Sequence, residues 1–558
     1  GSKRSMGSTS GGKRRYQSFR NKQRANMSFF IVVIFFAVFG IIVFTEIFLI
    51  DERGRGAGVL VRHGSIPYHH RQQDKPDYED ALQSDDYISI HMGGGGGAMD
   101  DTVGALLMGR PAMPAAPVFQ DANAQDHLNG QTINEAQLPP FPANFTPIDG
   151  AWQTVNGTRY KFYVFSAFLD ARKGQRAIRI IGATKTRGAD RVWCRFWYKT
   201  SEGNSSTYAS KTVPAKLKVI RENWNLKYSA CFLLCTLGND QIVPTAVSVV
   251  AKVRQAPSNI LAVVNNLNET KPASKMGVCV KALHFDYNKA LQLLEFIELH
   301  RILGVDHFTF YNHTVGPQVA CILEHYINTG LVTLLPWQLN MISQKEIRTE
   351  GLFAALNDCL YRSMYKYSHV ILIDLDEFII PRHNDTLPQL LNWLSTKVNT
   401  DSTGSFSFQN AFFYLQWGDD DWVYTSDDPI ATSLLTLKKT RRKTKLHPHK
   451  QRSKYICRPE FVVETGNHFI WEFVPGHNTF NVPADAAILH HYRICEFGGD
   501  DCIQTASIVD KATFKYRDRL VEAVGGLYEQ FRKVCSLPDL PPPPRKENFK
   551  LLNFFSNR

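Results

Sequence analysis

No aspartate or glutamate occurs in the first 26 residues, and no cysteine occurs before Cys194. The first absence leaves eight Lys/Arg in that tail with nothing to offset them. The second confines all ten cysteines to positions 194–535. Long apolar runs are equally scarce. Met27 to Thr45 is a 19-residue stretch without a charge, and no second segment approaches its length and apolarity. That pattern predicts one membrane crossing. No cysteine group has the four-ligand spacing of a zinc site: Cys231/Cys235 and Cys495/Cys502 are isolated pairs, which argues for disulfides or buried thiols. The chain also lacks aromatics interleaved with base-reading side chains on a known module. Its net charge of +12 therefore does not imply nucleic acid. With 558 residues, 44% of them hydrophobic and 12% aromatic, wholesale disorder and a single small binding module are both excluded.

Charge is unevenly distributed. Residues 51–140 hold thirteen acids and six bases, so they carry −7, while 141–558 carry +12. Cations before the apolar run and acids after it (Glu46, Asp51, Glu52) place the tail in the cytosol and the rest across the membrane. No A-x-A cleavage site follows closely, so the expectation is a retained signal anchor and type II topology. The span is short and rich in Phe, which suits the thinner early secretory membranes. An even cysteine count beyond it fits an oxidising lumen. Sequons at Asn144, Asn156, Asn204, Asn268, Asn312 and Asn384 fit the same side, and Asn26 falls in the tail.

These features predict a cytosolic basic tail (1–26), a transmembrane anchor (27–50) and a flexible stem (51–146). A β-rich domain (147–270), a catalytic α/β domain (271–540) and a C-terminal tail (541–558) follow. The stem carries Gly93–Gly97 and several Pro-rich stretches, a composition that cannot offset ordering entropy. Residues 147–270 contain short β-branched and aromatic runs separated by turn residues, which predicts an all-β, sandwich-like domain. After 275 the rhythm becomes β-α-β-α. Strands are expected at 278–285, 307–312, 331–337 and 369–381, and helices at 288–304, 317–330 and 347–367. This alternation predicts a parallel, doubly wound sheet with its ligand beyond the carboxyl ends of the strands.

The strand over 369–381 runs through apolar residues into Asp374-Leu375-Asp376-Glu377. Strand periodicity puts Asp374 and Asp376 on one face, and two carboxylates this close call for a cation between them. Oxygen donors suit Mn²⁺ or Mg²⁺, which commonly also hold a diphosphate. The alternative is a solvated strand end. The run 438–454 has nine Lys/Arg in 17 positions and reads either as a phosphate contact or as a solvated loop. His468, His477 and the pair His490-His491 are late histidines, of which the pair is best placed to complete a metal shell. Asp419, Asp420, Asp421 and Glu472 are candidate general bases. Trp417, Trp422 and Trp471 are candidate sugar-stacking faces that could equally be plain core.

The segments YNKALQLLEFIELHRILGVDHFTFYNHT, VILIDLDEFIIPR, HPHKQRSKYICRPE and ILHHYR together resemble glycosyltransferase family 92, over about 275–530. The resemblance implies a GT-A fold and an inverting galactosyltransferase of the animal type, a single-pass type II protein of the Golgi membrane. It implies Mn²⁺ (or Mg²⁺) and UDP-galactose, and β1,4 transfer onto galactose or core fucose of N-glycans. It assigns Asp374, Asp376 and His491 to the metal, with Asp374 also at the diphosphate. Tyr311 and Asn312 fall at the nucleoside, and Lys454 and Arg458 at the diphosphate. A glycan on Asn312 would block its role, so the two readings of that residue exclude each other. Asp419 and Glu472 stay as expected catalytic bases without a motif behind them. Expected partners are a glycan acceptor on glycoprotein or glycolipid and the membrane, without nucleic acid; a homodimer is compatible. Two alternatives stay open: a catalytically inactive glycan-binding Golgi protein, and a transferase using another UDP-sugar.

Overall fold

The computed structural model describes residues 134–143, 145–174, 176–200, 207–238, 242–267, 275–495 and 502–545. The expected tail and anchor, and nearly all of the expected stem, lie outside these residues. Among the described residues no helix is long and apolar enough to cross a membrane.

The first part is all β. Its strands are β1 (Gln153–Thr154), β2 (Tyr163–Asp170), β3 (Ala177–Lys185), β4 (Trp193–Lys199), β5 (Tyr208–Pro214), β6 (Lys216–Val219), β7 (Tyr228–Thr236), β8 (Ala246–Val250) and β9 (Leu261–Val264). They form one nine-stranded sheet, in the order β5-β4-β8-β9-β2-β3-β7-β6 with β1 on β2. A sandwich has two separate sheets. Here β9 is antiparallel to β8 and parallel to β2, so it joins the two halves. The sheet still closes on itself. Phe196, Val247 and Val249 from one half share a core with Val164, Ile178 and Leu233 from the other. A Cys194–Cys235 disulfide ties β4 to β7.

The second part opens with β10 (Met276–Cys279), α1 (Ala290–Ile302), β11 (His307–Asn312), α2 (Pro317–Asn328), β12 (Val332–Pro336), α3 (Leu352–Ser363) and β13 (His369–Leu372). Gly304 at φ +95° ends the turn after α1, and Pro317 opens α2 where its missing N–H costs nothing. Helix α3 starts later than the periodicity suggests. A 3₁₀ turn at Thr349–Gly351, with Glu350 and Gly351 at positive φ, delays it. The four strands are parallel in the order β12-β11-β10-β13. The chain winds outward from β10 in one direction and returns to its other side at β13, which makes β10/β13 the switch point where such sheets open a crevice.

The rest comprises β14 (Glu377–Pro381), α4 (Leu387–Ser395), β15 (Thr403–Phe408), β16 (Asn410–Tyr414), α5 (Pro429–Ser433), α6 (Leu435–Lys438), β17 (Arg441–Lys443) and β18 (Lys454–Cys457). These are followed by β19 (Val462–Thr465), β20 (Ile470–Phe473), β21 (Asn478–Asn481), β22 (Ala487–Arg493), β23 (Ser507–Val509) and α7 (Arg517–Val534). Strand β18 pairs antiparallel with β13 and leads to β15 and β21, so the seven-stranded sheet is mixed rather than all parallel. Strands β14, β22 and β16 form a separate small sheet. The expected single strand over 369–381 is thus two strands in two sheets.

Two cores flank the large sheet. Leu293, Phe296 and Ile297 of α1, with Val319 and Ile322 of α2, fill one face together with Leu520 and Val524 of α7. Helix α3 fills the other, where Phe353, Leu356 and Leu360 meet Phe165, Ile181 and Phe232 of the all-β part. The β-rich part therefore docks on α3. Arg172 pins that junction: its guanidinium donates to the carbonyl oxygens of Val462 (2.6 Å) and Glu460 (3.2 Å) and to the Tyr361 hydroxyl (2.9 Å).

Candidate active site

Strand β13 ends at Leu372 and β14 begins at Glu377, so Asp374 and Asp376 sit in the turn between the two sheets. The turn is closed locally. The Asp374 N–H donates to a Glu377 carboxylate oxygen at 3.0 Å, and the Glu377 N–H donates to the Asp374 carbonyl at 3.2 Å. A turn rather than strand alternation is what brings the two aspartates to one cavity.

Register supplies the histidine. In the small sheet Glu377 stands opposite His491. His491 Nε2 lies 3.4 Å from Asp376, and its Nδ1 lies 3.3 Å from Glu377. Nδ1 is also 3.0 Å from the Asn410 side-chain amide, whose Oδ1 is buried and has no hydrogen-bond partner among the described residues. Turning that amide over lets Oδ1 accept from Nδ1–H, with Nε2 directed to Asp376.

The large sheet supplies cations. Lys454, at the start of β18, donates to Asp374 at 3.0 Å and to the Asn467 side-chain oxygen at 3.0 Å, and lies 3.4 Å from Glu377. Lys281, just past β10, lies 3.6 Å from Asp374. These neighbours decide the charge states. Burial alone would raise Asp374, but Lys281 and Lys454 hold it well below the usual carboxylate range. Burial likewise opposes ionisation of Asp376, yet His491 keeps that carboxyl low. For Glu377 burial wins and pushes its carboxyl up. Burial would depress His491, but Asp376 and Glu377 outweigh it and raise the imidazole.

A cavity of about 700 Å³ opens here. Its walls include Asp374, Asp376, Glu377 and His491, and the cationic side chains of Lys281, Arg452 and Arg493. Tyr287, Asn288, Asn467 and His468 also face it, as does the loop His284–Asp286. In that loop Phe285 (φ +57°) and Asp286 (φ +50°) are both left-handed, and Phe285 is 84% exposed. Arg452 and Arg493 both stack on the Phe412 ring, at 5.7 and 4.9 Å from its centroid. Burial pushes the Arg452 guanidinium down to about 10.

The donor set fits a divalent cation only in part. Among the described residues no three His, Cys, Asp or Glu side chains form a metal cage. Asp376 and His491 converge, whereas Asp374 is engaged by two lysines. The residues present thus suit a hard cation that takes its remaining ligands from a diphosphate and water.

Other expected site residues lie elsewhere. Tyr311 is fully buried, with its hydroxyl donating to Asp358 at 2.7 Å. Strand alternation turns Phe308 and Phe310 to one core and Tyr311 to the other, toward α3 and away from the cavity. Asn312, at the end of β11, lies outside the cavity wall. Its carbonyl accepts from the Trp337 N–H (2.9 Å) and the Gln338 side chain (3.0 Å). Arg458 turns away: it donates to the Thr400 carbonyl at 2.9 Å, lies 3.6 Å from Glu460 and covers the Phe461 ring. Asp419 pairs with Lys439 at 2.7 Å, and Glu472 pairs with Lys218 (2.6 Å) and Arg221 (2.7 Å) across the junction with the β-rich part. Neither lines the cavity, so neither is placed as a base. Trp417 and Trp471 donate their indole N–H groups to the Ile503 carbonyl and to Glu222, Trp422 packs on Phe514, and none of the three lines the cavity. Lys281, Asp286, Tyr287, Asn410 and Asn467 were not singled out by any motif, whereas Arg452 belongs to the basic run 438–454 read as a phosphate contact. The one available signal is position: Lys281 follows the first strand of the α/β rhythm, at the switch point.

The class of the site is thus an acid–histidine pair beside a cationic wall, at the crevice of an α/β sheet. Residues 274–523 match the profile described as Glycosyltransferase family 92, and the chain carries a glycosyltransferase family 92 domain. It is 23% identical over 391 residues to the protein named Beta-1,4-galactosyltransferase galt-1 of Caenorhabditis elegans, covering 68% of this chain and 81% of that protein. It is 35% identical over 98 residues to Galactan beta-1,4-galactosyltransferase GALS1 of Arabidopsis thaliana, covering 17% of this chain and 19% of that protein. Solved structures similar to it include glucosyl-3-phosphoglycerate synthase from Mycobacterium tuberculosis (13% identity, TM-score 0.19, covering 48% of this chain and 82% of that one). Another is S. aureus TarS 1-349 (11% identity, TM-score 0.22, covering 47% and 73%).

Proposed function

We propose that this domain transfers galactose from UDP-galactose to a glycan acceptor with inversion, on a GT-A-like fold, in an oxidising lumen of the secretory pathway. The observation that carries the reading is the Asp376–His491 pair sharing one cavity with Lys281, Arg452 and Arg493 at the β10/β13 switch point. Four disulfides among the described residues support the compartment. The named activities of the two relatives support the donor sugar. The Golgi membrane and the type II anchor are part of the same proposal.

Asp376 and His491 Nε2 would hold the divalent cation, with Asp374 kept in place by Lys281 and Lys454. When bound, Mn²⁺ or Mg²⁺ offsets charge on the leaving diphosphate as a Lewis acid. The chain's own cations do the same. Lys281, Arg452 and Arg493 meet the diphosphate oxygens, and the planar guanidiniums hold them in a fixed orientation. The acceptor hydroxyl attacks the anomeric carbon opposite the diphosphate. Its proton passes to a carboxylate at the rim. Asp286 is placed for that role, because it is exposed at the cavity and meets no cation among the described residues. A single displacement converts an α-linked donor to a β-linked product.

The test is incubation of the purified protein with a panel of UDP-sugars and Mn²⁺ against a glycan array, with product linkage determined by NMR. Consumption of UDP-galactose with a β-linked product is expected. Consumption of a different UDP-sugar removes the donor assignment, and glycan binding without turnover of any donor removes the enzyme.

A further inference from the structure

The cavity wall at Gly466–His468 does not stand on its own domain. It hangs on Glu222, which belongs to the β-rich part, in the loop between β6 and β7. One Glu222 carboxylate oxygen accepts from the Asn467 N–H at 2.9 Å and from the Trp471 indole at 3.0 Å. The fit is close. A Cβ on Gly466 would lie 2.3 Å from that oxygen and 2.5 Å from the indole nitrogen, so only glycine is accommodated. The Tyr455 hydroxyl fixes the same turn from below, donating to the Gly466 carbonyl at 2.6 Å.

From the fixed Asn467 backbone the order passes inward. Its side-chain oxygen accepts from Lys454 at 3.0 Å, and Lys454 donates to Asp374 at 3.0 Å. Its side-chain nitrogen lies 3.2 Å from His468 Nε2, and Asn467 and His468 both face the cavity. Three hydrogen-bonded steps therefore connect a carboxylate of one domain to an acid of the candidate site in the other. We infer that Glu222 is a positioning residue: through Asn467 it sets the Lys454 ammonium against Asp374 and shapes the wall that receives the diphosphate of a nucleoside diphosphate. This rests on the donor reading above.

Burial pushes the Glu222 carboxyl up, against the pull of its hydrogen bonds and of Lys454. Such a group would be neutralised or lost were it not held for the two N–H donors. The junction already has other ties that do not reach the cavity. Lys218 binds Glu464 (2.8 Å) and Glu472 (2.6 Å). That separation between tie and wall allows a clean experiment.

The measurement is UDP affinity by calorimetry in Mn²⁺, with thermal melting alongside, on the full chain and three variants. Glu222→Ala is expected to weaken UDP about tenfold and to leave uridine binding unchanged. Glu222→Gln, whose amide oxygen can accept both N–H groups, should stay within about twofold of the parent for UDP. Lys218→Ala should lower the melting temperature and leave UDP affinity unchanged. The same split should appear in kinetics, as a raised KM for the donor with a smaller change in kcat. Unchanged UDP affinity in Glu222→Ala overturns the inference, as does an equal loss in Lys218→Ala, which would reduce Glu222 to junction packing. A parent protein that binds no UDP overturns the donor reading itself, and this inference with it.

Discussion

At the scale of single residues, the candidate site depends on which atoms hold protons. Asp376 and His491 must present lone pairs to the same point. Replacing Asp376 with Asn keeps the shape and removes the charge. Transfer is expected to fall at least a hundredfold in kcat/KM, as for loss of one oriented charge at a transition state, while the protein folds and melts as before. Retained activity in that variant would take the cation away from this turn. Asn410 offers a finer check. If its amide fixes the His491 tautomer, Asn410→Leu should weaken Mn²⁺ binding about tenfold, read by electron paramagnetic resonance titration rather than by turnover. Asp286→Asn should lower kcat about a hundredfold with donor KM unchanged, because a proton acceptor acts only as the bond forms. A KM effect alone would make Asp286 a binding residue.

At the scale of elements, the parallel core was readable because its periodicities are clean. Strand β11 falls at its expected limits, and Pro317 and Gly304 punctuate the helices as their backbone chemistry requires. The split at 373–376 was not readable. The apolar run before Asp374 and the Phe378–Ile380 run after Asp376 look like one strand, and only the pairing of each with a different neighbour separates them. The same blindness hid Tyr311, whose side of the sheet depends on where α3 packs. It also hid Lys281 and Asn410, which matter through distant chain segments. Asp374, Asp376 and His491, which the structure brings to one cavity, stood out by context rather than by rarity: the acids end an apolar strand of the β-α rhythm, and the histidine doublet follows another apolar run. The junction of the two parts makes an element-scale prediction. Burial would raise Asp170, but the Arg172 guanidinium bonded to it, helped by Arg179, holds its carboxyl at about 2. A depressed carboxyl stabilises above its unfolded value of 3.8 and loses that stabilisation as pH falls toward about 2. The shift corresponds to about 2 kcal/mol. Asp170→Asn, which strands two buried guanidiniums, should cost about 3–5 kcal/mol at pH 7. The difference from the parent should shrink steadily below pH 4, as thermal melts across pH would show.

At the scale of the whole molecule, covalent ties close long stretches of chain. Cys321 in α2 is bonded to Cys535, 214 residues later, just past α7, and Cys279 beside the crevice is bonded to Cys359 in α3. In the chain-entropy account a loop of the first size contributes about 5 kcal/mol. Replacing Cys321 and Cys535 together with Ser should lower the free energy of unfolding by that order in a denaturant titration, with donor affinity unchanged. The close pair Cys231/Cys235 did not bond: Cys235 reaches Cys194, and Cys231 stays a buried thiol.

The division between the two sheets has a mechanical corollary. Glu377 and His491 are paired within the small sheet, and Asp376 is fastened to it by the backbone bond from the Tyr492 N–H to its carbonyl (2.9 Å). Lys281 and Lys454 ride on the large one. A slight rocking of one slab on the other would leave the acid–imidazole spacing intact. It would lengthen or shorten the gap to the ammonium groups, about short links between the sheets: residues 373–376 and Gln409 between β15 and β16.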